Sequence, residues 1–179
     1  MCAHDCFAEA SALSDERRRG MDWLLKMPLH HGLSGYHLAR GDFEKARREG
    51  ERVCQMAAQP GERTWLSLGR GILAEIALAE RDDARAGREL SQALAALRGV
   101  EAPIAGWRVH AAAARLRERQ GHTAKAERAW AKSAAILNQL ADSLADVPLL
   151  HDALSASPVF QAIVGRAHVP KERAATSSA

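Results

Sequence analysis

The side chains able to do chemistry are few, and most are scattered. His30, His31 and His37 lie close in sequence, and the step of 7 from His30 to His37 puts those two on one helix face, two turns apart. Zinc needs three or four converging ligands. No Cys, Asp or Glu stands between Met27 and Ala39 to complete such a set, so the histidines are expected to be solvated or partly packed, and no metal is assigned. Cys2-x-His4-x-Cys6 is half a metal site and is read as structural or accidental. No Gly-x-Ser-x-Gly elbow, no G-x-x-x-x-G-K-[ST] loop and no pair of carboxylates stands out. The chain is therefore not expected to be an enzyme, and no cofactor is implied. The densest cationic grouping is Arg108, Arg115 and Arg119, at steps of 7 and 4, which share one side of a helix. They could grip an acidic segment or a carboxylate, or equally form a solvated basic face. Arg17-Arg18-Arg19 reads as a solvated helix start. Arg47 and Arg48 read as surface partners of Glu44 and Glu51.

Something must position these groups, and the composition says what. Of the 179 residues, 47% are apolar and 26% charged, enough to build and solvate a core. Aromatics are only 4% while alanine is abundant, which favours helix over sheet. The formal charge of +3 is too small and too dispersed to argue for nucleic acid. Cys2, Cys6 and Cys54 are an odd set that gives no disulfide framework, and a reducing cytoplasm is expected. Met1 is followed by Cys-Ala-His-Asp and not by basic residues and an apolar run, so no signal peptide is expected. No stretch of ~18 apolar residues occurs, so no membrane contact is expected.

The main organising feature is a repeat. With a shift of 40, Phe43, Ala46, Gly50, Val53 and Ala57 fall on Asp83, Ala86, Leu90, Ala93 and Leu97. These fall in turn on Thr123, Ala126, Trp130, Ser133 and Leu137. The internal steps of 3, 4, 3 and 4 are the stripe of an amphipathic helix. The preceding segment repeats as well, with Leu33, Leu73 and Ala113 in register, then Ser34, Ala74 and Ala114, then Tyr36, Ile76 and Leu116. Between the two helices of each unit stand Arg40-Gly41-Asp42, Glu80-Arg81-Asp82 and Gln120-Gly121-His122. A glycine here takes the left-handed position past a helix end, and Asp or Thr then caps the next helix. Each unit reads as two antiparallel helices. Ser34 with Ala46, Ala74 with Ala86 and Ala114 with Ala126 are small pairs that let the two helices cross closely. Trp23, Trp65 and Trp107 recur at steps of 42, and Trp130 takes a large-residue place. Packing between units is preferred to ligand stacking for all four.

The stretch Leu33-Ser34-x-x-His37-x-x-x-Gly41-Asp42-Phe43-x-x-Ala46 resembles the tetratricopeptide repeat (TPR). Residues 20 to 168 as a whole are similar to the C-terminal repeat region of large bacterial signalling proteins. Those proteins carry an AAA-type ATPase and often a transcription-factor or nucleotide-cyclase domain. The second unit departs from the motif with Arg81 at the glycine place, and the period of 40 exceeds the usual ~34. The resemblance implies an all-α fold of antiparallel hairpins stacked as a right-handed α-solenoid. It also implies a non-catalytic protein–protein interaction or regulatory module, a fragment or relative of a larger signal-responsive regulator of signalling or transcription, with a protein or peptide partner that could be acidic. In the family a concave groove is lined by one face of each unit's first helix. Carried over on Gly41, Arg81 and Gly121, that face includes His31, Glu75, Arg108, Arg115 and Arg119. The alternative from another class is a small-ligand sensor with a pocket inside the array.

One domain is expected over residues 1–168, with units at about 20–58, 62–98 and 103–141 and a cap at 146–168 of two short helices. Residues 2–14 fit either the second helix of an earlier unit or a capping helix. The next helix is expected to begin at Ser14-Asp15 and to be interrupted near Pro28. The polar tail 169–179 is expected to be disordered.

Overall fold

A computed structural model describes residues 5–7, 9, 12, 22–58 and 61–167, side chains excepted at 22–24. The chain is all-helical, with no strand among the described residues. Eight helices have defined bounds: α1 (Asp22–Ala39), α2 (Phe43–Ala58), α3 (Arg63–Ala79), α4 (Asp83–Ala96), α5 (Pro103–Arg119), α6 (Thr123–Asp142), α7 (Pro148–Ser155) and α8 (Pro158–Ala167). Among the described residues no helix is long and apolar enough to cross a membrane.

The 3–4 stripe of each second helix is its buried face. Ala46, Gly50, Val53 and Ala57 are buried on α2, Ala86, Leu90 and Ala93 on α4, and Ala126, Trp130, Ser133 and Leu137 on α6. Each helix then turns back on its partner. Ser34 meets Ala46, while His30, one turn earlier on α1, meets Glu49, one turn later on α2, so α1 and α2 run antiparallel. The small pairs lie where the helices cross: Ser34, Ala46, Ala74, Ala86 and Ala114 have no exposed surface, and Ala126 is 2% exposed.

The three turns share one backbone solution. Asp42, Asp82 and His122 donate their N–H to His37, Ala77 and Arg117, five residues back. Gly41, Arg81 and Gly121 donate to Leu38, Leu78 and Glu118, three residues back. This pair of bonds satisfies helix-end carbonyls and requires a left-handed residue at its centre. Gly41 and Gly121 take φ of 76° and 72°, and Arg81 is driven to 61° although it carries a Cβ. Asp42 and Asp82 accept hydrogen bonds from the N–H of Lys45 and Arg85 at 3.3 and 2.9 Å. The third turn differs from expectation. Thr123 does not cap α6 but is its first residue, because the turn's register puts His122, without a side-chain bond, at the cap.

The core is a row of three clusters. Ala46, Cys54, Ile72, Leu73 and Ile76 join α2 to α3, with Leu38 of α1 against them. Ala74, Ala86, Leu90, Ala93, Val109 and Leu116 join α3, α4 and α5. Ala111, Trp130, Leu137, Phe160 and Ile163 join α5, α6 and α8. Buried serines tie facing helices together: Ser34, Ser67 and Ser133 donate to the carbonyls of Ala46, Ala93 and Trp107 at 2.7, 3.1 and 2.8 Å. The first helices also touch one another, α1 against α3 and α3 against α5, and form a continuous layer.

Two further expectations need correction. The helix is not interrupted at Pro28: α1 runs through it. A proline forfeits one helical hydrogen bond, but the adjoining Met27 is fully buried and His30 and Ser34 anchor the same helix to α2. Arg47 does not pair with a neighbour on its own helix. It reaches Glu80, at the end of α3, at 2.5 Å, whereas Arg48 does pair with Glu44, at 3.8 Å. Residues 5–7, 9 and 12 are helical, and a Cβ on Gly32 would meet the Phe7 ring. Most of 2–14, with Cys2 and His4, lies outside the described residues, as do Ser14 to Arg19 and the tail 169–179.

Candidate functional site

Helical spacing on three helices builds one recess. Leu68, Gly71, Ile72 and Glu75 lie at steps of 3, 1 and 3 along α3 and line one wall. Trp107, Arg108, Ala111 and Arg115 do the same along α5. Val159, Ala162, Ile163 and Arg166 of α8 close the far side, with Trp130 of α6 beneath and His31 of α1 at the opposite end. The volume of this open recess is about 460 Å³.

Its polar groups form two Arg–Trp corners. On α5 the Arg108 guanidinium lies 4.2 Å from the centre of the Trp107 ring, and its Nη1 donates to the Ile104 carbonyl at 2.7 Å. Burial pushes the Arg108 pKa down, and nearby Glu75 pushes it partly back. At the α6–α8 corner the Arg166 guanidinium lies 4.9 Å over the Trp130 ring. Glu118 binds both members of that corner, accepting from Trp130 Nε1 at 2.7 Å and from Arg166 Nη1 at 3.3 Å. Between the corners, Glu75 Oε1 of α3 accepts from Arg115 Nη2 of α5 at 2.7 Å. His31 is held below its ordinary pKa, first by burial and then by the positive charge of Arg108, and its ring meets Trp65 edge-on at 6.2 Å.

The five residues singled out for the concave face are thus divided. His31, Glu75, Arg108 and Arg115 line the recess together. Arg119 does not. Its guanidinium turns to the end of α3, bonding the Leu78 carbonyl and lying 2.7 Å from Asp83 Oδ1. The partly negative C-terminal end of a helix, with a carboxylate beside it, competes effectively for a cation. The sequence reading missed the α8 wall, although Val159, Ala162, Ile163 and Arg166 have helical spacing that could have signalled it. It preferred packing to ligand stacking for Trp107 and Trp130, and both line the recess.

Other chemistry-bearing groups stand apart. Cys54 is buried between α2 and α3, and burial pushes its thiol up to about 11, which makes it a poor nucleophile at neutral pH. Cys6 is exposed. His30 bonds Glu49 at 2.6 Å, and no group of three or more His, Cys, Asp or Glu that could hold a metal occurs among the described residues. A second recess, of about 610 Å³, lies between the α4–α5 connection and α6, lined by Val100, Gly106, His110, Ile136 and Leu140. It holds no arginine or lysine. Comparison with known proteins adds no relative: no family model, no curated protein and no solved structure matches the chain.

Proposed function

We propose that this chain is a non-catalytic regulatory module of the tetratricopeptide kind, and that it takes its partner on the layer formed by α1, α3 and α5. The observation that carries the reading is the gathering of His31, Glu75, Arg108 and Arg115, from three successive first helices, around one recess. The recurring left-handed turn at 41, 81 and 121 and the buried small pairs support a repeat array. Such arrays bind along a groove far more often than they catalyse. The recess residues include no serine, threonine, cysteine or lysine, and the one carboxylate among them is engaged by Arg115. The partner is a protein or peptide with acidic character. Signalling within a larger regulator, in the cytoplasm, is the context that the resemblance implies.

Retention of a partner from cell extract on the immobilised chain tests this. Ala162 is exposed on α8 and lines the recess, so Ala162→Trp should block retention without disturbing the core. Exposed Arg48 on α2 lies elsewhere, and Arg48→Ala should change nothing. Equal retention by both variants would remove the recess from the proposal. A second reading, a small-ligand sensor, is favoured by one feature: α8 walls the far side, so the face is a bowl as well as a groove.

A further inference from the structure

We infer that the recess is a pocket for an apolar-bodied monocarboxylate. The inference deepens the sensor reading and rests on it. The volume of about 460 Å³ suits a drug-sized molecule. The body of that molecule would lie against Leu68, Trp107, Trp130 and Ile163.

Charge selects the head group. Three arginines line the recess, and two of them already have a carboxylate: Arg115 lies 2.7 Å from Glu75, the one carboxylate of the lining, and Arg166 lies 3.3 Å from Glu118. Among the described residues no carboxylate lies within ion-pair distance of Arg108, whose partners are a backbone carbonyl and the Trp107 ring. A half-buried guanidinium with no carboxylate in contact, and only the already engaged Glu75 nearby, is costly, and an anion entering the recess offsets that cost. The Trp107 ring covers the guanidinium and the Ile104 carbonyl takes one Nη1 N–H, which leaves other in-plane N–H groups for a carboxylate to meet. Glu75 within the same lining disfavours a polyanion, and no glycine-rich loop offers backbone N–H groups to a phosphate there. A single carboxylate satisfies both constraints.

Calorimetric titration of the full chain tests the inference with biphenyl-4-carboxylate and decanoate as anionic probes and biphenyl-4-methanol as the neutral one. The expected result is binding of an anionic probe about tenfold or more tighter than the alcohol. Arg108→Met should reduce the biphenyl carboxylate to the affinity of the alcohol and leave the alcohol unchanged. Arg115→Gln, at a more exposed side chain, should weaken the anion alone and carries the test if the Arg108 variant loses its circular dichroism. Ala162→Trp should abolish binding of every probe. Alcohol and carboxylate binding equally, both blocked by Ala162→Trp, would overturn the carboxylate and leave the sensor reading standing. No binding of any probe, or binding indifferent to Ala162→Trp, would overturn both.

Discussion

Glu75 of α3 and Arg115 of α5 stand forty residues apart in sequence and 2.7 Å apart in space. Each occupies the same place in its own unit, so their pairing joins two consecutive first helices across the layer. Both side chains are partly solvated, at 31% and 44% exposure, and such pairs contribute about 0–1 kcal/mol. The pair is thus worth little to folding, while its carboxylate holds Arg115 and offsets part of the charge of Arg108. Glu75→Gln should change unfolding free energy by less than about 1 kcal/mol. The same substitution should raise the affinity for biphenyl-4-carboxylate several-fold, by releasing Arg115 and unmasking Arg108. A fall in affinity, measured by calorimetry beside a denaturation curve, would mean that Glu75 holds the arginines in place and does not compete for them.

Arg81 is the one described non-glycine residue with positive φ, at 61°. It sits where the other two turns have Gly41 and Gly121, and it makes the same backbone bonds. A left-handed conformation costs an L-residue about 1–2 kcal/mol, and a glycine gives back part of the gain as chain entropy, about 0.5–1 kcal/mol. Arg81→Gly should therefore stabilise the protein by up to about 1 kcal/mol, seen as a higher urea midpoint with an unchanged slope. A lower midpoint would show that the Arg81 side chain contributes more than its strained backbone costs.

These two positions also show what the sequence could and could not reveal. Arg81 aligned with two glycines because a backbone turn is a local event, encoded within five residues. The buried stripes and the pairs Ser34–Ala46 and Ala74–Ala86 were legible for the same reason: helical period and residue size are local properties. The all-helical fold follows from them. The site was legible only in part. Arg108, Arg115 and Arg119 share one side of α5, yet spacing along a helix does not say what the neighbouring helix offers. Arg119 turns to the Leu78 carbonyl at the end of α3 and to Asp83 at the start of α4, while Arg115 faces Glu75. The α8 wall depends on how a short helix folds back over α6, a tertiary fact with no counterpart in the repeat. Ser67 and Ser133 act as Ser34 does, but at other places in their units, so a shift of 40 could not bring them together.

The pH dependence of stability should carry the mark of His31. Its pKa is lowered, first by burial and then by Arg108, and burial with Lys132 lowers His110 likewise. Between the depressed value in the folded state and the ordinary 6.5, the unfolded chain binds more protons than the folded one. Stability is then complete above about pH 6.5 and is lost as the pH falls through the folded-state value. Urea midpoints at pH 7.5 and 5.5 should differ in that direction, and His31→Gln should shrink the difference. An undiminished difference in the variant would assign the effect to His110 or to the carboxylates.

The crossing of the paired helices makes the sharpest claim about packing. Ala86 on α4 has no exposed surface and lies in the cluster with Ala74, Val109 and Leu116, and Ala126 on α6 is 2% exposed. Ala84 is exposed on the same helix as Ala86, two residues away and on another side of it. Leucine at 86 or 126 must push its hairpin apart, because a close-packed crossing has no void for three extra carbons. Ala86→Leu and Ala126→Leu should each cost about 1–3 kcal/mol. Ala84→Leu adds the same atoms to solvent and should stay within about 0.5 kcal/mol of the native protein. Denaturant unfolding of the three variants, side by side, checks this. Equal stability of all three would mean that these alanines do not set the distance between the helices, and the crossing would have to be held open by the larger side chains around it.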